Sequence, residues 1–207
     1  FPVEWLKHGN LVNPIVVSDY PGPTYYPING SLIYFWLILP FKSVFLADLG
    51  QLLFFIMAFF AVVAISKKLN INKIYAFFSA ALFTITPNYF KQLEIAYVDV
   101  MVAALFLSCL NFMLYFYDKL DIKSLILFSI SAGILIGTKI ITLPYVAIFF
   151  IFAVFLILAK HRRIKLKNRI TFICILIFFM LPLGGFSYIR NLIITENPFY
   201  PVELKIF

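Results

Sequence analysis

Charge is scarce in this chain: Asp, Glu, Lys and Arg together make up 13% of 207 residues, and only nine are acidic. A soluble globular domain carries about a quarter of its residues as charge. The two cysteines, Cys109 and Cys174, both fall inside apolar stretches, which excludes a disulfide framework and leaves them as small apolar fillers. No Gly-rich phosphate loop, no paired Cys or His ligands and no G-x-S-x-G occur. Nucleotide-dependent chemistry on a P-loop and serine hydrolysis on an α/β-hydrolase elbow therefore have no footing here.

What fills the space is apolar. Hydrophobic residues reach 63% and aromatics 19%, with a mean hydropathy of +1.00. No soluble fold of this length hides so much apolar surface, so the chain reads as a polytopic, all-α transmembrane bundle. It opens on Phe1-Pro2-Val3-Glu4-Trp5 and stops at Ile206-Phe207; both ends read as the inside of a longer protein, and a missing leader says nothing about targeting.

A hydrocarbon core of about 30 Å takes roughly 20 helical residues. That ruler predicts six spans, at about 45–66, 74–90, 96–117, 124–138, 142–159 and 170–188. Pro144 falls in the first turn of the fifth, where a missing N–H costs nothing. Pro182, followed by Gly184-Gly185, predicts a kink or an early end in the sixth. Residues 1–43 read as an extracytoplasmic loop rich in Pro, Gly, Tyr and Asn. Within it, Ser31 to Phe41 is too short to span and reads as an interfacial or re-entrant helix. Residues 44–190 then form the bundle, and 191–207 begin another outer loop.

The basic residues orient it. Lys67, Lys68 and Lys73 share one loop, Lys119 and Lys123 a second, and Lys160, Arg162, Arg163, Lys165, Lys167 and Arg169 a third. Alternating spans put these three loops on one side, which holds eleven of the 17 Lys and Arg residues and is therefore cytoplasmic. The net charge of +8 is thus explained by anionic lipid, without nucleic acid. Seven of the nine acidic residues face the other way; only Asp118 and Asp121 lie inside. Acidic residues contribute little to topology, so chemistry on the outer face is one cause of that asymmetry. His8 and His161 end up on opposite sides and cannot share a metal.

Three places on the outer side could carry chemistry. Asp99 opens the third span: it is either a carboxylate favoured by the helix dipole and facing water, or one at the rim of an outer cavity. The fourth span has 15 residues, about 22 Å, so Lys139 lies below the outer surface. There it either snorkels to headgroups or stands as a cation suited to a phosphate. Arg190, ahead of the Pro- and Tyr-rich 195–201 segment, helps shape a loop and could hold a phosphate oxygen pair.

With those residues placed, a resemblance emerges. The stretches EWLKHGNL, YYPINGSLIYFWLILPF, YVDVMVAALF, GILIGTKIITLPY and YIRNLIITENPFYP, in that order, resemble the GT-C superfamily of membrane glycosyltransferases, in particular its bacterial protein-mannosyltransferase-like group. The resemblance implies transfer of a sugar from a polyprenyl-phosphate donor to a glycan, lipid or protein acceptor on the extracytoplasmic face, usually with inversion. It implies a main acidic residue just after a first transmembrane helix, upstream of Phe1, with Asp99 as a second carboxylate. Lys139 and Arg190 match positions of cations suited to the carrier phosphate. Tyr26, Asn29, Asn197 and Tyr200, all in the matching stretches, are carried over as substrate-binding candidates. The cofactor stays open, a divalent ion such as Mg or Mn among the options. Abundant Lys, Ile, Asn and Phe hint at an AT-rich bacterial genome, and the expected localisation is the bacterial inner membrane with the active site on the extracytoplasmic side. The rival is a transporter or flippase of lipid-linked sugars, which predicts charge near the bilayer centre and a repeat between halves; neither is visible.

Overall fold

The computed structural model describes residues 1–11, 22–159 and 166–202, and within them it is entirely helical. Asp19, Tyr20, Glu203, Lys205 and the basic run 160–165 lie outside the described residues. A short helix α1 (Pro2–His8) and a second, α2 (Asn29–Ile38), precede a 3-10 stretch (Val44–Gln51) that runs straight into α3 (Leu52–Lys68). Then come α4 (Lys73–Ile85), the five-residue α5 (Pro87–Lys91), α6 (Asp99–Lys119), α7 (Ile122–Ile136), α8 (Leu143–Ala159), α9 (Leu166–Gly184) and α10 (Phe186–Thr195).

Among the described residues, three stretches are long and apolar enough to cross a membrane: Val44–Lys68, Asp99–Lys119 and Ile140–Ala159. Residues of α9 and α10 make a fourth if that bent pair counts as one span. Two of the six expected spans are therefore shorter helices, each for a legible reason. The expected 74–90 span breaks at Thr86, whose backbone is extended (φ −53°, ψ 125°), because Pro87 follows and opens α5; a residue before proline is pushed out of the helical region. The 124–138 span appears as α7, whose 15 residues rise about 22 Å. At the other end of the chain, Pro182 lies in the last turn of α9 and Gly185 stands between α9 and α10, which turn by 65°.

Local chemistry sets several helix ends. The Asn72 side chain accepts from the Ile74 N–H at 2.9 Å to start α4, and the Asp121 carboxylate accepts from the Ser124 N–H at 2.9 Å to start α7. Leu120, in the left-handed region (φ 52°), makes the turn between α6 and α7.

The core is a row of helices. α6 packs between α3 and α7, α7 packs on α9, and α4 flanks α3. Where they meet, side chains are small: Ala58, Ala104, Cys109 and Ala132 are fully buried. α7 and α9 approach so closely that a Cβ on Gly184 would lie 2.5 Å from the Gly133 carbonyl oxygen. Small residues at such crossings are how apolar helices associate where lipid competes for apolar contact. Large apolar side chains instead point outward, among them Phe60, Phe78, Ile148 and Phe178.

Two ion pairs mark opposite ends of α6. Lys139 meets Asp99 at its start, and Lys68 from the end of α3 meets Asp118 near its finish. With 21 residues between, these ends stand about 30 Å apart. α3 and α6 consequently run in the same direction.

Candidate functional site

Where α6 begins and α7 stops short, the structure forms an open-mouthed cavity of about 920 Å³. Its walls are the start of α1, residues Tyr26 and Pro27, one face of α2, the 3-10 stretch, residues 96–99, residues 138–141, and Pro201 with Val202. The shortness of α7 makes this possible: the chain leaves the helix at Gly137 and passes Lys139 in an extended conformation (φ −155°, ψ 136°) before α8 begins. A longer α7 would fill the space.

Asp99 and Lys139, 40 residues apart, come together on this wall. The Lys139 ammonium donates to Asp99 Oδ1 at 2.7 Å, and the two side chains are 43% and 42% exposed. Among the described residues Asp99 Oδ2 has no hydrogen-bond partner, which leaves an open carboxylate oxygen beside an accessible cation. Asp99 is also the first residue of α6, where the helix dipole favours negative charge.

Two amide side chains, Gln51 buried and Asn29 half-buried, hold the backbone on either side of the pair. Gln51, 1% exposed, accepts from the Val100 N–H at 3.1 Å and donates to the carbonyls of Gln92 and Ile95, the latter at 2.6 Å. One side chain thus satisfies the first turn of α6 and the irregular segment leading into it. Asn29 does the same across the cavity. Its side chain donates to the carbonyls of Ile134 and Leu183 at 3.2 and 2.7 Å, and its own N–H reaches the Gly137 carbonyl at 2.8 Å. The fit is tight enough that a Cβ on Gly137 would sit 2.1 Å from the Asn29 amide nitrogen. The Tyr34 hydroxyl donates to the Tyr97 carbonyl at 2.5 Å and closes a third side.

The remaining candidates distribute unevenly. Tyr26 lines the cavity with Asp99 and Lys139. Arg190 does not: its guanidinium turns to the Asn191 side-chain oxygen at 2.9 Å and to the Tyr26 carbonyl at 3.5 Å. Asn191, buried, donates to the carbonyls of Tyr25 and Tyr200 at 2.9 and 3.1 Å. Asn197 works within its own turn, accepting from the Phe199 N–H and donating to the Val202 carbonyl. The Tyr200 ring packs edge-on against Tyr25 at 4.7 Å. Asn29, Arg190, Asn197 and Tyr200 therefore hold the backbone around the cavity, and the cavity wall itself does not include them.

Gln51 escapes a reading of the sequence for charge and motif, and Asn191, though it stands in the YIRNLIITENPFYP stretch, is not singled out there for its own role. A signal for Gln51 exists all the same: a polar side chain at the start of an apolar span asks for a partner. For a divalent ion the residues present are a poor fit. No group of three or more His, Cys, Asp and Glu side chains assembles among the described residues, and the carboxylate on the cavity wall already faces an ammonium. Compared with family models, with curated proteins and with solved structures, the chain finds no match.

Proposed function

We propose that this chain is part of an integral membrane glycosyltransferase of the GT-C type. It moves a sugar from a polyprenyl-phosphate donor to an acceptor hydroxyl on the extracytoplasmic face of a bacterial inner membrane, and the basic end of the bundle faces the cytoplasm. The observation that carries the reading is the exposed Asp99–Lys139 pair on the wall of a large, mostly apolar cavity. The acceptor oxygen attacks the anomeric carbon, the bond to the carrier phosphate breaks, and the phosphate leaves with the electron pair. Lys139 offers the positive charge that the departing phosphate needs. Asp99 Oδ2 is free to accept the proton of the attacking hydroxyl. Ring faces of Tyr26 and Tyr97, both exposed, offer apolar surface to a sugar.

The carrier reading predicts charge at depth, yet no charged residue lies between Asp99 and Asp118 in α6 or anywhere in α8. The test is transfer of label from a radiolabelled polyprenyl-phosphate sugar in membranes holding the full-length protein. Asp99→Asn and Lys139→Ala should each lower transfer by about 100-fold while membrane insertion is retained. Full transfer by both variants rejects the assignment, and label that crosses the membrane without a new linkage makes the protein a carrier.

A further inference from the structure

The amphipathicity of α10 is inverted. Its polar residues face the protein: Ser187 Oγ accepts from the Ile28 N–H, the Tyr188 hydroxyl donates to the Ile136 carbonyl, and Asn191 is 2% exposed with both amide hydrogens used. Arg190, the one charged residue of the helix, turns toward Asn191 and Tyr26. The opposite stripe, Phe186, Ile189 and Ile193 at i, i+3 and i+7 with Leu192 and Ile194 beside them, is half or more exposed, Ile193 reaching 76%. A helix on a water-facing surface is patterned the other way round.

We propose that α10 lies nearly in the plane of the bilayer, at the boundary between acyl chains and headgroups, with this stripe seated on lipid. Two observations identify the occupant. The helix before it, α9, also exposes large apolar side chains, Phe178 and Leu181 among them, and no charged residue lies between Arg169 and Arg190. The lengths also agree. The apolar part of α9, residues 170–184, rises about 22 Å, and ten residues of α10 inclined at 65° to it add about 6 Å along the same axis. The sum approaches the roughly 30 Å of a hydrocarbon core, so α10 falls at its edge. Because the inward face of α10 holds the backbone of Tyr25, Tyr26, Ile28 and Tyr200, this seat fixes the cavity wall at headgroup level.

Nitroxide labels in liposome-reconstituted protein test it. Single labels go at Ile189 and Ile193, with Phe178 as the lipid reference and Lys7 as the water reference, after Cys109→Ala and Cys174→Ser. All four labelled positions are exposed, so the labels disturb no buried packing beyond the Phe178 ring contact with Phe179 and the Lys7–Glu4 pair at the surface. The expected result is that Ile189 and Ile193 behave as Phe178 does, open to oxygen and shielded from a water-soluble nickel chelate. Nickel access equal to that at Lys7 would put the stripe in water and overturn the proposal. Shielding from both reagents would mean that protein covers it, a second copy or further chain, and would overturn it equally.

Discussion

The two ends of the bundle solve the same problem with different means. At the basic end, helices start on local devices, Asn72 and Asp121 each capping the helix that follows them, and charged side chains join the helices there, Lys68 from α3 and Lys119 from α6 both lying over the Tyr115 ring at 4.8 and 5.4 Å. At the cavity end, helices stop early or break, and long-range amides do the satisfying. Gln51 reaches 41 to 49 residues along the chain, Asn29 105 to 154, and Asn191 166 to Tyr25. A cavity needs irregular backbone around it, and irregular backbone in an apolar setting needs a partner for every N–H and C=O. The long-range amides are the cost of having a cavity at all.

That contrast can be broken in order of expected effect. Gln51→Leu leaves the Val100 N–H without its partner, at about 1–3 kcal/mol, and strips one hydrogen bond each from the Gln92 and Ile95 carbonyls, which keep the Ile95 and Tyr97 N–H groups; at about 1 kcal/mol for each lost bond it should lower stability by about 3 kcal/mol. A thermal unfolding midpoint in detergent equal to that of the unsubstituted protein would show that the amide is dispensable. Gly184→Ala should be next, at about 2 kcal/mol, because the added methyl meets the Gly133 carbonyl across the α7–α9 crossing. The corresponding readout is guanidinium or SDS-induced unfolding of the same preparation.

Asp121→Ala at the basic end should cost only about 1 kcal/mol. It also carries a pH signature. The Ser124 hydroxyl, donating to the carboxylate, holds Asp121 below the usual carboxylate range, helped by the Ser124 N–H and by Lys119 and Lys123. A lowered carboxyl pKa contributes stability above the ordinary range that disappears as pH falls through the lowered value. Midpoints of variant and unsubstituted protein should therefore differ near neutrality and converge in acid; a constant gap would assign the effect to something other than the charge.

What the sequence makes legible is governed by how local the cause is. Pro87 breaks one expected span and Pro182 with Gly185 bends another, because proline and glycine act on their own neighbourhood. The bend is expected from the sequence; the break at Thr86 had an equally plain signal in Pro87. Lys139 and Asp99 are legible because charge inside an apolar chain is rare, and span length places both at one level. Their direct contact is a finding of the structure. Gln51, Asn29 and Asn191 are not legible in their roles. Each bonds to backbone carbonyls, and a carbonyl has no residue identity, so spacing and motif hold no record of the pairing. Asn29 and Asn191 stand in the very stretches that carry the family resemblance, and still their partners could be found only in three dimensions.

The clamp between the loop at Tyr25–Ile28 and the helix at Ser187–Asn191 has a consequence in time. Its hydrogen bonds join residues 159 and 166 positions apart. A ribosome adding about 5–20 residues per second needs roughly 8 to 30 s to travel that far. Throughout that interval the segment that becomes one cavity wall has its N–H and C=O groups uncommitted, while the helices between are made and inserted. A nascent chain arrested just before Ser187 would hold its earlier helices while the Tyr25 carbonyl and the Ile28 N–H still lacked these partners.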